Sequence, residues 1–354
     1  AAHPATPAGV RGAILDLTYG TLRDYGRQDF ILGKLLQKPL PEPVQSLLRV
    51  ALHRLAVRPD TAHTVVDQAV SAAATLLGGK FKGVANGVLR NALRQAGELA
   101  HAADADMVAE HRHPPWWIRR LKSQYPKKWR TILAAGNTHP PMALRVNPLR
   151  ASDDEVLADF AAAGITVKRL AAGTLLLDQP LSVSRLPGFA EGCLSVQDAG
   201  AQHAARYLDL DDGQRVLDAC AAPGGKSAHI LETADVALTA LDSSPVRAQR
   251  ISENLARLGL TAEVKASDCR KLDAWWDGRP FERILADVPC SASGVVRRNP
   301  DIKWLRRSDD IPRFAAQQAE ILEALWQTLA PGGKMLYATC SVFAEENGDQ
   351  ITAF

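Results

Sequence analysis

Residues 215–227 read RVLDACAAPGGKS, and the reading of this stretch decides the fold. Arg215–Leu217 is a short apolar strand candidate. It runs into Asp218-Ala219-Cys220-Ala221-Ala222-Pro223-Gly224-Gly225-Lys226-Ser227, and a helix is predicted from about Lys226. Glycine lets the backbone turn tightly and approach a ligand closely. The helix N-terminus behind it offers free N–H groups and positive potential to a carboxylate or phosphate. Downstream the same rhythm repeats. Strand candidates at Val236–Leu241, Ala262–Lys265, Phe281–Ala286 and Lys334–Ala338 alternate with helices, notably Pro245–Leu258 and Arg313–Leu329. From about residue 206 this alternation is the signature of a Rossmann-like, doubly wound α/β sheet. Ligands in such sheets bind beyond the carboxyl ends of the strands.

Three ligand chemistries compete for the glycine-rich loop. A phosphate-binding P-loop requires Gly where Cys220 stands, ahead of Gly225-Lys226-Ser227. A dinucleotide fingerprint requires G-x-G-x-x-G, which the sequence lacks. An S-adenosylmethionine site requires an acid at the end of the second strand for the ribose hydroxyls, by the geometry of dinucleotide folds. Asp242 stands there, and Asp268, after the third strand, can accept from an adenine amino group. A bare turn with unrelated acids is the bland alternative, but the agreement of three strand ends speaks against it.

At 354 residues the chain is long for one core, so two or three domains are expected. Hydrophobic content of 46% and charged content of 23% are those of an ordinary globular protein. No segment approaches the roughly 18 consecutive apolar residues of a membrane span, and the Ala- and Pro-rich start lacks a secretory layout. A cytoplasmic location and no membrane partner are therefore expected. The first hundred residues read as helices. Val44, Leu47, Leu48, Leu52 and Leu55 share one face; Val65, Val66, Ala69, Val70, Ala73, Leu76 and Leu77 share another, with breaks at Lys38–Pro43 and Gly78-Gly79. Between 101 and 205 the pattern is mixed. It holds an extended segment at Pro140–Pro148, a helix from the N-cap Ser152 to about Ala163, and short strands at Thr166–Lys168 and Thr174–Leu177.

Forty-two Lys and Arg against 39 Asp and Glu give only +3 overall, so local clustering carries the charge argument. From Arg112 to Arg130 stand Arg119, Arg120, Lys122, Lys127 and Lys128, with Trp116, Trp117, Tyr125 and Trp129 between them and no acid. Arg297, Arg298, Lys303, Arg306, Arg307 and Arg313 surround Trp304. Cations near aromatic faces suit phosphates and unstacked bases; a solvated face with buried tryptophans is the alternative. His111 and His113 have no second ligand pair and read as surface residues, so no metal site is expected.

The 5 cysteines are odd in number, widely spaced and form no C-x-x-C, which argues against a disulfide framework or a thiolate zinc site. Cys193, Cys220 and Cys269 each read as small core hydrophobes. Two others differ. The fourth strand ends in Asp287-Val288-Pro289-Cys290-Ser291 and the fifth in Thr339-Cys340-Ser341. Adjacent parallel strands lie about 4.8 Å apart, so if these two are neighbours both thiols face one pocket beside the cofactor. Thiols suit one chemistry in particular. Cytosine C5 is a poor nucleophile until a thiolate adds at C6 and makes the ring enamine-like. Asp287 could then hydrogen-bond N3 or the exocyclic amine.

At these residues the sequence resembles the RNA cytosine-C5 methyltransferases of the NOL1/NOP2/Sun group. The match rests on Asp218–Lys226, Asp242, Asp268, Asp287–Ser291 and Thr339–Ser341. More narrowly it is similar to the bacterial 16S ribosomal RNA subfamily called RsmB, Sun or Fmu, at Ser293–Trp304 (SGVVRRNPDIKW) and Glu345-Glu346-Asn347. The helical start resembles the RNA-binding domain of the antitermination factor NusB, most visibly at Phe81–Arg90 (FKGVANGVLR). The resemblance implies an all-α NusB-like domain at 1–100, a small α/β connector at 101–205 and a methyltransferase domain at 206–354. It implies Cys340 as the C6 nucleophile, Cys290 as an aid to product release and Asp287 as the target-base contact. S-adenosylmethionine would be held by Cys220, Ala221, Ala222, Pro223, Gly224, Gly225 and Lys226, with Asp242, Asp268 and Asp287. DNA cytosine methyltransferases place the nucleophile in a Pro-Cys motif, here Cys290; the paired Thr-Cys-Ser favours the RNA class. The family's sheet continues for two more strands, one antiparallel, beyond the helix in which this sequence ends at Phe354, and those strands are expected to be either missing or unrecorded.

The partner expected is small-subunit ribosomal RNA, with transfer RNA the alternative of the same chemistry. Arg297, Arg298, Lys303, Arg306 and Arg307 would grip phosphates beside the pocket, and Arg119, Arg120, Lys127 and Lys128 would extend the grip. A monomer is expected. A non-catalytic RNA-binding protein built on the helical part is a different class of reading, against which the intact cysteines and acids argue. A dehydrogenase lacks its fingerprint.

Overall fold

The structure, a computed structural model, describes residues 7–354; the start read above as lacking a secretory layout falls largely at 1–6, outside the described residues. The described chain forms two compact units. One comprises the residues up to His139 with Ala292–Ser308, the other Pro140–Ser291 with Asp309–Phe354. The stretch expected as a connector at 101–205 is thus divided, its helical first part in one unit and its strands in the other. No helix among the described residues is long and apolar enough to cross a membrane.

The first unit is helical. Helices Ala8–Leu35, Glu42–Val57, Ala62–Thr75 and Lys82–Arg94 bury Leu32, Val44, Leu48, Leu52, Val65, Ala69 and Leu89 in one core. Apolar residues three and four apart put one stripe of each helix inside, and Pro43 sits in the first turn of the second helix, where its missing N–H costs nothing. Leu77 departs from its expected face. The third helix stops at Thr75, and Leu77 takes a φ of 48° at 54% exposure.

Helices Pro115–Gln124 and Trp129–Gly136 carry the first basic cluster, with Trp117 and Trp129 buried as core. His111 and His113 were expected at the surface, and the structure corrects this. Arg112 ends the short helix Met107–His111 with a φ of 57° and turns the chain inward. His113 is then 1% exposed, Nδ1 lies 2.7 Å from the His111 carbonyl, and burial pushes its pKa down to about 3.

The second unit contains two sheets. Strands β1 (Met142–Val146), β2 (Val167–Ala171), β3 (Thr174–Leu177) and β4 (Leu194–Val196) form an antiparallel sheet in the order β2-β3-β1-β4. The helix Asp153–Ala162 covers it, and Ser152 closes a reciprocal capping box with Glu155 as its N-cap. Strand β4 was not anticipated, because three residues are too few to show alternation. Strands β5 (Arg215–Asp218), β6 (Ala237–Asp242), β7 (Glu263–Ala266), β8 (Phe281–Asp287) and β9 (Leu329–Ala338) form a parallel sheet in the order β7-β6-β5-β8-β9.

Strand β9 begins five residues earlier than Lys334 because Pro331-Gly332-Gly333, which reads as a turn, is a bulge inside it. Gly332 has a φ of +74°, and a Cβ on Gly333 would stand 3.0 Å from the Glu282 carbonyl. The helix expected at Arg313–Leu329 spans Asp310–Trp326. Strand order reverses between β5 and β8, so the crevice lies where their carboxyl ends diverge. Arg145 of β1 reaches this edge from the small sheet. It pairs with buried Glu232 at 2.8 Å and donates to the Gly225 carbonyl at 3.0 Å.

Candidate active site

Strand β5 delivers Asp218 and the glycine-rich loop. Ala221 N–H donates to the Leu241 carbonyl at 2.7 Å, which ties the loop to the end of β6. Gly224 has a φ of +94°, and any Cβ there would stand 3.1 Å from Ile251 Cα, so the position requires glycine. The helix Gly225–Thr233 starts at the loop, one residue ahead of expectation. Asp218 lies underneath, fully buried. Ser227 donates to its Oδ2 at 2.7 Å while Oδ1 has no partner, and burial pushes its pKa up to about 7.

Asp242 and Asp268 stand at the next two strand ends. The Ser244 N–H donates to Asp242 Oδ1 at 3.0 Å, and Arg247 lies 3.1 Å from Oδ2. Asp268 is chelated by Arg270 at 2.7 Å, which holds its pKa below the usual carboxylate range. Turn amides fix both acids at one edge, beside a helix N-terminus. That donor set fits a ligand with a vicinal diol, an amine and a carboxylate, which are the polar groups of S-adenosylmethionine.

Strands β8 and β9 are adjacent and parallel, with Asp287 opposite Ala338. The condition set by the sequence is met, and Cys290 Sγ and Cys340 Sγ stand 3.3 Å apart. Cys340 is exposed and Cys290 half-buried. Asp287, at the root of the Cys290 loop, accepts from Lys226 Nζ at 2.6 Å, which brings the glycine-rich loop to the thiols. The Cys290 thiol, burial and Asp287 hold the Cys340 pKa above the ordinary thiol value, and Lys226 pulls it down. Two thiols in contact resist double ionisation.

Sequence reasoning assigned no role to Glu346 or Gln318. Glu346 was part of a quoted motif, and its signal was weak: an acid in a polar segment reads as solvated, yet this one is 0% exposed. The expected RNA contacts divide. Arg119, Lys127, Lys128 and Arg307 are exposed, while Arg120, Arg298 and Arg306 are half-buried. Arg297 donates to Thr138 Oγ1 at 2.8 Å and to the His139 carbonyl at 3.2 Å. Lys303 departs furthest from expectation. It is 0% exposed, and Nζ donates to the Arg23 carbonyl at 3.1 Å and to Asn137 Oδ1 at 2.8 Å. Beside it Trp304 Nε1 donates to the Leu22 carbonyl. The segment Ala292–Ser308 packs among the helices, so the buried Lys303 ammonium serves a backbone carbonyl and a side-chain amide, and the half-buried Trp304 indole serves a second carbonyl.

The sequence matches three family models: 16S rRNA methyltransferase RsmB/F over residues 205–354, an RsmF/B-like ferredoxin-like domain over 113–184 and the NusB family over 2–94. Ribosomal RNA small subunit methyltransferase B of Pseudomonas putida is 47% identical over 351 residues, 97% of this chain and 80% of that protein. The protein of the same name from Vibrio cholerae is 45% identical over 345 residues, 96% of this chain and 80% of its own. The crystal structure of a methyltransferase homolog from Pyrococcus horikoshii aligns with a TM-score of 0.61 at 28% identity, covering 69% of this chain and 79% of that one.

Proposed function

Since the chain belongs to the RsmB/F family of 16S rRNA methyltransferases, and is thus an S-adenosylmethionine-dependent RNA methyltransferase, we propose that it methylates carbon 5 of a cytosine through a covalent thiol adduct. The observation that carries this reading is the 3.3 Å contact between Cys290 and Cys340 at adjacent strand ends beside Asp287 and Lys226. One thiol would serve as a nucleophile; a second one in contact with it calls for a two-thiol reaction.

In this reading Cys340, the more exposed of the pair, gives up its proton to solvent and adds as the thiolate to cytosine C6. The Sγ–C6 bond forms as the C5–C6 π electrons move toward C5. S-adenosylmethionine, held by the Cys220–Lys226 loop, Asp242 and Asp268, would supply the electrophilic methyl group to C5, and the S–CH3 electron pair would stay on sulfur in the departing thioether. Asp287 contacts N3 or the exocyclic amine and stabilises the adduct. The C5 proton then passes to a base, solvent or the Cys290 thiolate, the C–H electron pair re-forms the C5–C6 double bond, and Cys340 leaves as the thiolate, with Cys290 beside the sulfur to assist release.

The target base must be single-stranded or flipped out of its stack to reach this edge. Exposed Arg119, Lys127, Lys128 and Arg307 supply phosphate contacts, and the NusB-like helices extend the RNA surface. The protein acts as a cytoplasmic monomer on small-subunit ribosomal RNA. Methyl transfer from labelled S-adenosylmethionine to unmodified small-subunit ribosomal RNA and to unmodified transfer RNA, side by side, tests this. Label at cytosine C5 of the ribosomal RNA alone is expected. Label in transfer RNA alone keeps the chemistry and overturns the substrate; label on another atom overturns the chemistry.

A further inference from the structure

One carboxylate reaches both thiol loops. Ser291 follows Cys290 and Ser341 follows Cys340, and both hydroxyls donate to Oε2 of Glu346, each at 2.5 Å. Oε1 accepts from the Ser291 N–H at 2.7 Å and from Gln318 Nε2 at 3.2 Å. The same Gln318 amide donates to the Pro289 carbonyl at 2.9 Å. Asn347, next in sequence, accepts from Thr339 Oγ1 at 2.6 Å and donates to the Ser341 carbonyl at 3.1 Å. Tyr337 Oη donates to the Glu346 carbonyl at 2.7 Å. The residue after each cysteine is therefore anchored to one buried carboxylate, while Pro289 and Thr339, before them, are held by its neighbours Gln318 and Asn347.

Burying a carboxylate is costly unless its lone pairs are filled, and here four donors fill them. Charge-assisted bonds of this kind are short and directional, so they fix position as well as energy. We propose that Glu346 is a positioning residue that sets the separation of the Cys290 and Cys340 thiols. It touches neither sulfur and acts through Ser291 and Ser341. The inference rests on reading the thiols as the reacting pair.

The test uses the full chain carrying Glu346→Gln, which keeps the shape and removes the charge. An amide at that position turns one acceptor into a donor, so either the two hydroxyls on Oε2 or the Ser291 N–H and the Gln318 amide on Oε1 lose their acceptor. Separation is read without RNA. Diamide takes two electrons and two protons from a pair of thiols as they become a disulfide, and the Cys290–Cys340 bridge is timed by alkylation and peptide mass. Bridging in the variant is expected to slow roughly tenfold. With RNA, kcat is expected to fall about ten- to a hundredfold while KM for S-adenosylmethionine stays within about twofold.

Bridging at the wild-type rate overturns the proposal. So does a variant that loses cofactor affinity and melting temperature in step with kcat, because that pattern is general loss of fold. If Glu346→Gln does not fold, Ser341→Ala removes one of the two hydroxyl ties; slower bridging supports the brace and unchanged bridging overturns it. Slower bridging in a protein whose wild type methylates no cytosine supports the brace and removes the proposed reaction.

Discussion

Two pairs of cysteines stand at the carboxyl edge of the same sheet, and the protein treats them oppositely. Cys290 and Cys340 follow neighbouring strands, one of them is exposed, and their loops are tied to a buried carboxylate. Cys220 and Cys269 follow β5 and β7, which β6 separates, and Cys269 is 4% exposed in a core with Leu241, Trp275 and Val288. Cys220 packs against that core. The neighbouring Cys269 thiol and burial hold the Cys220 pKa well above the ordinary thiol value. Strand-end location is common to all four. Access to sulfur and polar backing of the loop separate the proposed reacting thiols from the two small core hydrophobes.

The contrast breaks or holds on single substitutions. Cys340→Ala is expected to reduce methyl transfer by at least about 10³-fold, the scale of losing a nucleophile. Equilibrium binding of S-adenosylmethionine should remain. Cys290→Ala should instead accumulate a covalent RNA–protein complex, visible as a band that survives denaturing electrophoresis. If Cys290→Ala abolishes the complex and Cys340→Ala forms it, the two roles are exchanged. Cys269→Ala is expected to cost about 1–2 kcal/mol of stability, the scale of a small core cavity, with kcat altered less than about threefold. A Cys269 variant that folds normally but transfers no methyl group would erase the distinction between the pairs.

The sequence made one pair legible and concealed the other for the same physical reason. Repeated Cys-Ser at two strand ends marks Cys290 and Cys340, and the alternation of strands suggests that they are adjacent. Cys220 and Cys269 share no motif and meet across an intervening strand, which no local pattern encodes. The parallel sheet, the loop at Asp218–Lys226 and the acids Asp242 and Asp268 were likewise readable, because a strand followed by glycine and a helix leaves a period and a composition. Charge placement was not. Arg297 and Lys303 lie in a run as basic as the one at 119–130, but tertiary packing decides which cations face water. Glu346 was hidden similarly, as an acid among polar neighbours with nothing local to announce its burial.

Lys303 extends the comparison from thiols to cations, with a smaller effect. Burial pushes its pKa from 10.5 down to about 7, aided by Arg112 and Arg23 and opposed by Asp24. Between those values the unfolded chain holds a proton that the folded chain lacks. Stability contributed at this site is therefore complete above about 10.5, falls as the pH drops, and is lost below about 7. Urea midpoints of wild type should rise relative to those of Lys303→Met as pH increases from 7 to 10. Parallel midpoints would mean that the ammonium titrates as an exposed one does.

The exposed cations sharpen the same point from the other side. Lys127 and Lys128 lie at the start of the helix Trp129–Gly136 with their side chains in solvent. A lysine that neutralises a phosphate releases counterions on binding, so removing it flattens the dependence of affinity on salt by about one unit of slope. Lys127→Gln and Lys128→Gln should each do so in RNA titrations between low and moderate salt, with little effect on kcat at saturating RNA. Lys303→Met should leave the slope unchanged, because a cation bonded to Arg23 and Asn137 inside the protein displaces no counterions from RNA. An equal loss of slope in all three variants would mean that the 292–308 segment opens when RNA binds and turns its buried cation outward.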